Sequence, residues 1–174
     1  LSDASESFFS KLIMNFEISF EKKLSLASES KDEDTLFVLA NDGDCRIRET
    51  VAGNTATNAS VLDKLSKDIF WRVRARVASN RNTDVKTLRW LGKDESSLVR
   101  ECVSSNPHID ANTMNSLAKD EIYYVREQVC KNPKVSNKIL FFLSKDENNF
   151  VKEAANSVIR KKENKKIVQS EISF

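Results

Sequence analysis

A 26-residue sequence pattern repeats through this chain, and it constrains the fold more than any other feature of the sequence. Leucines stand one period apart, an aspartate follows each leucine after three positions, and a cation follows each aspartate after six more. The three columns are Leu39, Leu65, Leu91, Leu117 and Leu143; Asp42, Asp68, Asp94, Asp120 and Asp146; and Arg48, Arg74, Arg100, Arg126 and Lys152. Such a period is typical of a solenoid, in which each unit buries its apolar face only against its neighbours.

Apolar columns predict a first helix of about ten residues in each repeat. Branched residues four positions apart, such as Val99 and Val103, share one face of a helix. We expect this helix to begin at the aspartate, acting as N-cap, with Glu95, Glu121 and Glu147 at the positive end of its dipole. We expect it to end at an asparagine in the left-handed conformation. The asparagine column is Asn54, Asn80, Asn106 and Asn132.

A second helix is predicted in the other half of each repeat. Its N-cap column is Asn58, Asp84, Asp110 and Ser136. Apolar residues then follow three positions apart, which places them on one stripe of a helix. These pairs are Leu62 and Leu65, Leu88 and Leu91, Met114 and Leu117, and Leu140 and Leu143. The sequence therefore predicts an all-α fold, an α-α superhelix of about five two-helix repeats.

The two ends of the chain depart from the repeat. Residues 1–38 are predicted to be helical caps with a degenerate half repeat, because Phe8, Leu12, Phe16, Phe20 and Leu24 recur every four residues. The repeats occupy residues 39–158, starting at positions 39, 65, 91, 117 and 143. Residues 159–174 are predicted to be a basic helix end or tail.

Composition argues against several classes of protein. The 28 basic and 26 acidic residues leave a net charge of +2, which does not indicate a dedicated nucleic-acid or membrane-surface protein. Cys45, Cys102 and Cys130 have no CxxC spacing, and His108 is the single histidine. We therefore expect buried, reduced cysteines of a cytoplasmic protein, with no metal, no cofactor and no membrane span.

Two segments carry a family resemblance: LGKDESSLVRECVSSNPHIDANTMNSLAKD and LAKDEIYYVREQVCKNPKVSNKILFFLSKD. They resemble the leucine-rich repeat variant family of bacterial proteins, and the similarity covers about residues 36–158. Thr55 and Arg81 depart from the family's proline position. The resemblance implies a right-handed superhelix related to HEAT and armadillo arrays, and binding rather than catalysis. Some members carry an iron–sulfur segment before the repeats, but no cysteine precedes Cys45, so this cofactor is not expected.

The periodic Asp and Arg columns are expected to be structural. Their spacing is similar to that of HEAT repeats, in which such pairs form a ladder of charge-assisted hydrogen bonds between neighbouring repeats. A ladder of this kind satisfies each buried charge with an opposite one. We therefore assign Asp42 to Lys152 in these columns to the scaffold rather than to a ligand site.

A candidate binding surface is sought where the repeats differ. The second full repeat is unusually rich in arginine and tryptophan, and the Trp71 column continues as Tyr123. Arginine beside aromatic rings binds phosphates and bases, and the same residues dominate protein-binding hot spots. The candidate residues are Trp71, Arg72, Arg76, Arg89, Trp90, Tyr123 and Tyr124.

Three functions follow from this surface. We expect a non-enzymatic scaffold that binds a protein or peptide partner along the repeats. The alternative is nucleic-acid binding through the Arg-rich second repeat and the basic tail. A HEAT-like DNA glycosylase with Asp68 near Trp71 is the least favoured, because the sequence has no catalytic motif and assigns no catalytic residue. Oligomeric state is left open.

Overall fold

Residues 18–172 are described by the structure, a computed structural model, and they contain eleven helices and no strand. The helices are α1 (Phe20–Glu29), α2 (Glu33–Leu39), α3 (Cys45–Gly53), α4 (Ala59–Leu65), α5 (Trp71–Ser79), α6 (Val85–Leu91), α7 (Ser97–Ser105), α8 (Ala111–Leu117), α9 (Tyr123–Lys131), α10 (Asn137–Leu143) and α11 (Asn149–Ile172). Phe8, Leu12 and Phe16 of the predicted cap lie outside the described residues. The predicted all-α helical-repeat fold is confirmed.

Each repeat contributes a nine-residue helix and then a seven-residue helix. The nine-residue helices α3, α5, α7 and α9 pack directly on one another, with α1 before them and α11 after them. Each seven-residue helix contacts the longer helices on either side of it in the chain. The alternation gives every repeat two neighbours and no others, as expected for a solenoid.

One continuous hydrophobic core runs through all the repeats. The paired aliphatic residues of the nine-residue helices, such as Val99 and Val103, are wholly buried. The predicted stripe of the seven-residue helices is buried too, since Leu62, Leu88 and Leu140 are each 0% exposed. The apolar residues that were identified by their spacing in the two kinds of helix therefore face the same core.

The N-cap prediction holds for the seven-residue helices and is wrong for the nine-residue ones. Asn58, Asp84, Asp110 and Ser136 each accept a backbone N–H from the third residue that follows them. The nine-residue helices begin three residues after the aspartate column. Asp94, for example, accepts the N–H of Ser96 at 2.9 Å in a turn before α7. Consequently Glu95, Glu121 and Glu147 also precede the helices and do not lie in their first turns.

The asparagine column ends the nine-residue helices, but its left-handed conformation was predicted wrongly. Asn54, Asn80, Asn106 and Asn132 are C-caps with φ between −66° and −72° and extended ψ. No described residue has a positive φ. Each Asn side chain instead donates to backbone carbonyls of the preceding repeat, as Asn106 does to Ala78 O at 2.8 Å and Asn80 O at 3.0 Å. These four side chains form what we call the Asn ladder.

Each Asn side chain also binds its own turn. The amide oxygen of Asn106 accepts the N–H of His108 at 2.8 Å, and the other three asparagines accept the equivalent N–H two residues on. The ladder is buried, with 2% exposure at Asn106 and Asn132. Since an unpaired buried carbonyl is costly, the Asn ladder both closes the turn and fastens the repeat to its neighbour.

The Asp and Arg columns form a second ladder between repeats. Arg100 donates from Nε and NH2 to the two carboxylate oxygens of Asp120 at 2.7 and 3.0 Å. Its NH1 donates to Asp94 O of its own repeat at 2.8 Å. The same three contacts recur in the pairs Arg48–Asp68, Arg74–Asp94 and Arg126–Asp146. We call this set the Asp–Arg ladder.

Lysines stand at both ends of the Asp–Arg ladder. Lys23 of α1 donates to Asp42 at 2.8 Å, so the helix before the first full repeat supplies a cation in place of the arginine. Lys152, the last cation of the column, lies 3.5 Å from Asn149 of its own helix. A single lysine bond thus replaces the two-point arginine contact at the start of the array.

Helix α11 is much longer than its counterparts, with 24 residues from Asn149 to Ile172. The predicted basic end of the chain is therefore helical through Ile172. Lys162 of this extension donates to Val135 O at 2.8 Å and lies 3.3 Å from the Asn137 side chain. Within residues 18–172 no helix has both the length and the apolar character needed to cross a bilayer.

Candidate functional site

The surface of the nine-residue helices is where the repeats differ most. We define the long-helix face as the first, second, fifth and sixth residues of α3, α5, α7, α9 and α11. These positions lie on one side of a helix. None of the side chains at these positions is buried. The two ladders lie elsewhere, at the turns on either end of the helices, and leave this face free.

Apolar side chains at the N-terminal ends of these helices form a row across four repeats. Trp71, Leu98, Tyr123 and Phe150 are 40%, 42%, 41% and 65% exposed. Tyr124 is half-buried, and its hydroxyl lies 2.5 Å from Ser97 Oγ of the preceding repeat. We call these five side chains the apolar row.

Rings from successive repeats touch within the apolar row. Tyr123 stacks on Phe150 of the next repeat with ring centroids 6.0 Å apart. It meets Tyr124 edge-on at 5.6 Å. Both geometries are favourable for aromatic pairs. The rings of the last two repeats therefore form one surface rather than separate exposed side chains.

Two predicted arginines lie on the same face. The Arg72 guanidinium is 5.5 Å from the Trp71 ring centroid, a cation–π distance. Arg76 donates to Glu49 of the preceding repeat at 3.2 Å. Arg76, Glu49 and Arg46 line a groove of about 420 Å³ between neighbouring helices, and Arg72 lies outside it. The structure thus places Trp71, Arg72, Arg76, Tyr123 and Tyr124 on one face.

The other two predicted residues lie on a different surface. Arg89 and Trp90 belong to the seven-residue helix α6. Arg89 donates to Asp110 at 2.6 Å. Trp90 is 65% exposed and lines a groove of about 400 Å³ with Lys67 and Lys93. Hence the seven predicted residues do not form a single site.

Sequence reasoning missed several exposed apolar residues. Phe141 and Phe142 of α10 are 62% and 52% exposed and line the largest of the described grooves, of about 950 Å³. Ile69, just before α5, is 83% exposed. Phe150 is 65% exposed and was not among the candidate binding residues. The column of Phe141 contains Phe37, Asp63, Arg89 and Asn115. The rule that variable columns face outward would have identified it.

The ladder carboxylates have no free oxygen for acid–base chemistry. Asp68 accepts from Arg48 at 2.6 and 3.1 Å and from Phe70 N–H at 2.9 Å. Burial tends to raise the pKa of this carboxyl, but the hydrogen bonds from Arg48 and Phe70 outweigh burial and lower the pKa overall. The carboxylate is therefore ionised and fully paired.

The three cysteines have different environments. Cys130 is buried as predicted, and burial raises the pKa of its thiol to about 12. Cys45 and Cys102 are half-buried, so the prediction of buried cysteines is wrong for these two. Both stand on the long-helix face, whose side chains are not covered by the next repeat. No group of three or more possible metal ligands occurs within residues 18–172.

Comparison with known proteins leaves the site without a precedent to transfer. No protein-family model matches the chain. No curated protein matches it either. The geometry of the described residues is therefore the basis on which a function can be argued.

Proposed function

We propose that this protein is a non-enzymatic interaction scaffold that binds an extended segment of a protein partner across the long-helix face. The observation that carries the proposal is the apolar row, in which Trp71, Leu98, Tyr123 and Phe150 are exposed on successive repeats. Single exposed apolar residues are ordinary, but exposed apolar residues on four successive repeats favour an interaction surface, and the rings of Tyr123 and Phe150 are in contact. The resemblance to bacterial leucine-rich repeat variant proteins supports the same proposal.

The scaffold beneath the row favours binding because it is fixed in advance. Every nine-residue helix is bonded to its neighbour at one end by the Asn ladder and at the other by the Asp–Arg ladder. A preorganised surface loses little conformational entropy on binding. Tryptophan and tyrosine have few rotatable bonds and bury a large area, which is why they dominate binding hot spots.

Nucleic-acid binding is the second candidate, favoured by one observation. The Arg72 guanidinium lies over Trp71, and within residues 18–172 it forms no ion pair, so it is available to a phosphate. The geometry around it is less favourable. Arg76 and Arg89 are already paired with Glu49 and Asp110. The repeats that carry Tyr123 and Phe150 also carry the carboxylates Glu127 and Glu153 on the same face.

A glycosylase-like activity finds no support in the arrangement of Asp68. That carboxylate belongs to the Asp–Arg ladder, is 7% exposed, and has both oxygens bound. A general base needs an oxygen within reach of substrate or water.

The proposal is tested by selecting binders from a displayed library of random 12-residue peptides. We expect the parent protein to enrich peptides, and Trp71→Ala/Tyr123→Ala/Phe150→Ala to lose them. The matched control is Trp90→Ala/Phe141→Ala/Phe142→Ala, which removes three exposed rings from the seven-residue helices and should retain binding. The proposal is refuted if the parent protein enriches no peptides. It is also refuted if the variant without Trp71, Tyr123 and Phe150 enriches them equally well.

The nucleic-acid candidate is measured in parallel. Anisotropy of labelled single-stranded and duplex DNA is recorded at about 50 and 200 mM salt, because phosphate binding weakens steeply as counterions are released. Binding that falls with salt and disappears in Arg72→Ala/Arg76→Ala would move this candidate to first place. We expect no DNA binding at micromolar protein.

A further inference from the structure

Charge changes sign along the long-helix face. On α3 and α5 the face carries Arg46, Arg72 and Arg76 against a single Glu49. On α7, α9 and α11 its charged residues are all acidic, and they are Glu101, Glu127 and Glu153. The chain as a whole has a net charge of only +2, so this separation comes from placement and not from composition.

Several of these charges have no ion-pair partner within residues 18–172. Arg72 makes a cation–π contact and no salt bridge, and neither Glu101 nor Glu153 forms one. Glu127 is bound by Lys131 of its own helix at 2.7 Å, an exposed pair of the kind that contributes little to stability. At the positive end, Arg46 is paired with Asp44 at 2.6 Å and Arg76 with Glu49 at 3.2 Å. The unneutralised charges of the face are therefore Arg72 at one end and Glu101 and Glu153 at the other.

The separation of positive from negative charge is not found at the turns that precede the nine-residue helices. At the turns before the helices, Glu95, Glu121 and Glu147 lie close to ladder arginines, at 3.3, 3.6 and 3.9 Å from Arg74, Arg100 and Arg126. Lys93, Lys119 and Lys145 stand two residues before them, so the turns are mixed in sign. Arg160 and Lys161 are exposed on α11 only beyond its ninth residue.

The spacing of the helices fixes the register of an occupant. Packed helices lie about 8–10 Å apart. An extended chain in the polyproline II conformation rises about 3.1 Å per residue and has three residues per turn, so every third side chain lies on the same side and meets the next helix. A segment of about 12 residues therefore spans the five helices from α3 to α11.

We propose that the partner segment is an extended peptide with segregated charges, and this inference rests on the proposed function. Its acidic end lies over Arg72, whose guanidinium forms no ion pair within residues 18–172. Basic side chains, three residues apart, lie over Glu101, Glu127 and Glu153. Apolar residues between them contact the apolar row. The charges orient the peptide on the face, while the rings supply most of the contact area.

Two other kinds of occupant are distinguished from a peptide by charge or by experiment. A nucleic-acid strand is negative along its whole length and is repelled by the three acidic helices. A second copy of this chain, placed antiparallel, would match positive with negative. Such a pairing of two copies would appear as a dimer in solution, which the light-scattering experiment below detects.

The peptides enriched in the display selection provide the test. We expect their acidic residues at one end and their basic residues at three-residue intervals over the rest. An enriched peptide should bind the parent at least tenfold more tightly than a peptide of the same composition with interleaved charges. Its affinity should fall at least tenfold for Glu101→Gln/Glu127→Gln/Glu153→Gln. The control Glu95→Gln/Glu121→Gln/Glu147→Gln removes three exposed carboxylates from the turns and should change the affinity less than threefold.

The outcomes separate this inference from the proposed function. Peptides that need the apolar row but show no charge segregation, or that bind the two glutamine variants equally, overturn the inference and leave the scaffold function standing. Failure to enrich peptides through the apolar row overturns both. Light scattering that shows a dimer of the parent, dissociated by the Glu101→Gln/Glu127→Gln/Glu153→Gln change, assigns the face to a second copy and also overturns the inference.

Discussion

The ends of the nine-residue helices and the face between them obey opposite rules. At the ends, Asn and Asp–Arg recur at fixed positions, because each side chain must reach a partner in the adjacent repeat. On the face, the residues equivalent to Trp71 are Cys45, Ser97, Tyr123 and Asn149, since the stacking of the repeats does not require one residue type there. Regular positions therefore join the repeats, and irregular positions remain available for a partner.

The largest effect is expected when the Asn ladder is interrupted. Asn106→Ala leaves the buried carbonyl of Ala78 and the N–H of His108 without their partners, and leaves the carbonyl of Asn80 with only the Thr83 N–H. We expect a loss of about 3 kcal/mol in the free energy of unfolding, measured by urea denaturation. The control is Asn115→Ala on the exposed side of α8, which should change stability by less than about 0.5 kcal/mol. Equal midpoints for the two variants would show that the Asn ladder is not structural.

Breaking the Asp–Arg ladder should cost somewhat less. Arg100→Ala leaves the nearly buried Asp120 carboxyl without its cation, with one backbone N–H bond from Ile122 remaining. We expect a loss of about 2 kcal/mol. Arg72→Ala, an exposed arginine that lies outside the ladder, serves as the comparison in the same denaturation experiment. An Arg100→Ala protein that melts like the parent would mean that the column is free for a ligand.

A smaller effect is expected at the N-cap of α8. Backbone N–H bonding from Thr113 and the Arg89 contact lower the pKa of Asp110 from 3.8 to about 2. A lowered folded-state pKa contributes stability that is fully present above about pH 4 and is lost as pH falls through 2. Asn also caps helices well, so Asp110→Asn should cost only about 0.5 kcal/mol at pH 7. Urea denaturation at pH 7 and pH 3 should show that difference shrinking at the lower pH, and a difference that grows there would refute the assignment.

The smallest change in stability is expected on the long-helix face. Trp71→Ala removes a ring that is 40% exposed, so we expect less than about 1 kcal/mol in unfolding free energy together with loss of peptide binding. Val77→Ala in the same helix removes wholly buried methyl groups and should cost about 2 kcal/mol while leaving the face intact. If Trp71→Ala unfolds the protein and Val77→Ala does not, scaffold and face have been assigned the wrong way round.

Most of the fold was readable from the sequence because apolar periodicity is a direct consequence of burial. The columns that contain Val99, Val103 and Leu88 are wholly buried, as their spacing predicted. The N-caps of the nine-residue helices were placed two residues early. Aspartate before a helix serves either as N-cap or in a turn that precedes the cap, and the residue type alone does not distinguish these roles.

The Asn ladder could not be recognised in the same way as the Asp–Arg ladder. Because aspartate and arginine carry opposite charges, their two columns can be paired from the sequence alone. The partners of Asn106 are the backbone carbonyls of Ala78 and Asn80, and every residue has a carbonyl.

The candidate site was only partly predicted, because neighbouring positions in the sequence can face different directions. Trp71 and Trp90 are close in sequence, but they lie on helices that point their exposed sides in different directions.

The lysine at the start of the Asp–Arg ladder has a mechanical consequence. Because each repeat is bonded only to its neighbours, a force applied to the two ends of the array loads every junction in series. Within the Asp–Arg ladder, the Asp42 junction has one lysine bond, whereas the four junctions that follow each have a two-point arginine contact. On the other side of the same junction, Asn54 donates to the carbonyls of Ala27, Ser28 and Ser30. Under tension the Asp42 contact should therefore open before the other contacts of its ladder, while Asn54 still holds α1 to the first full repeat.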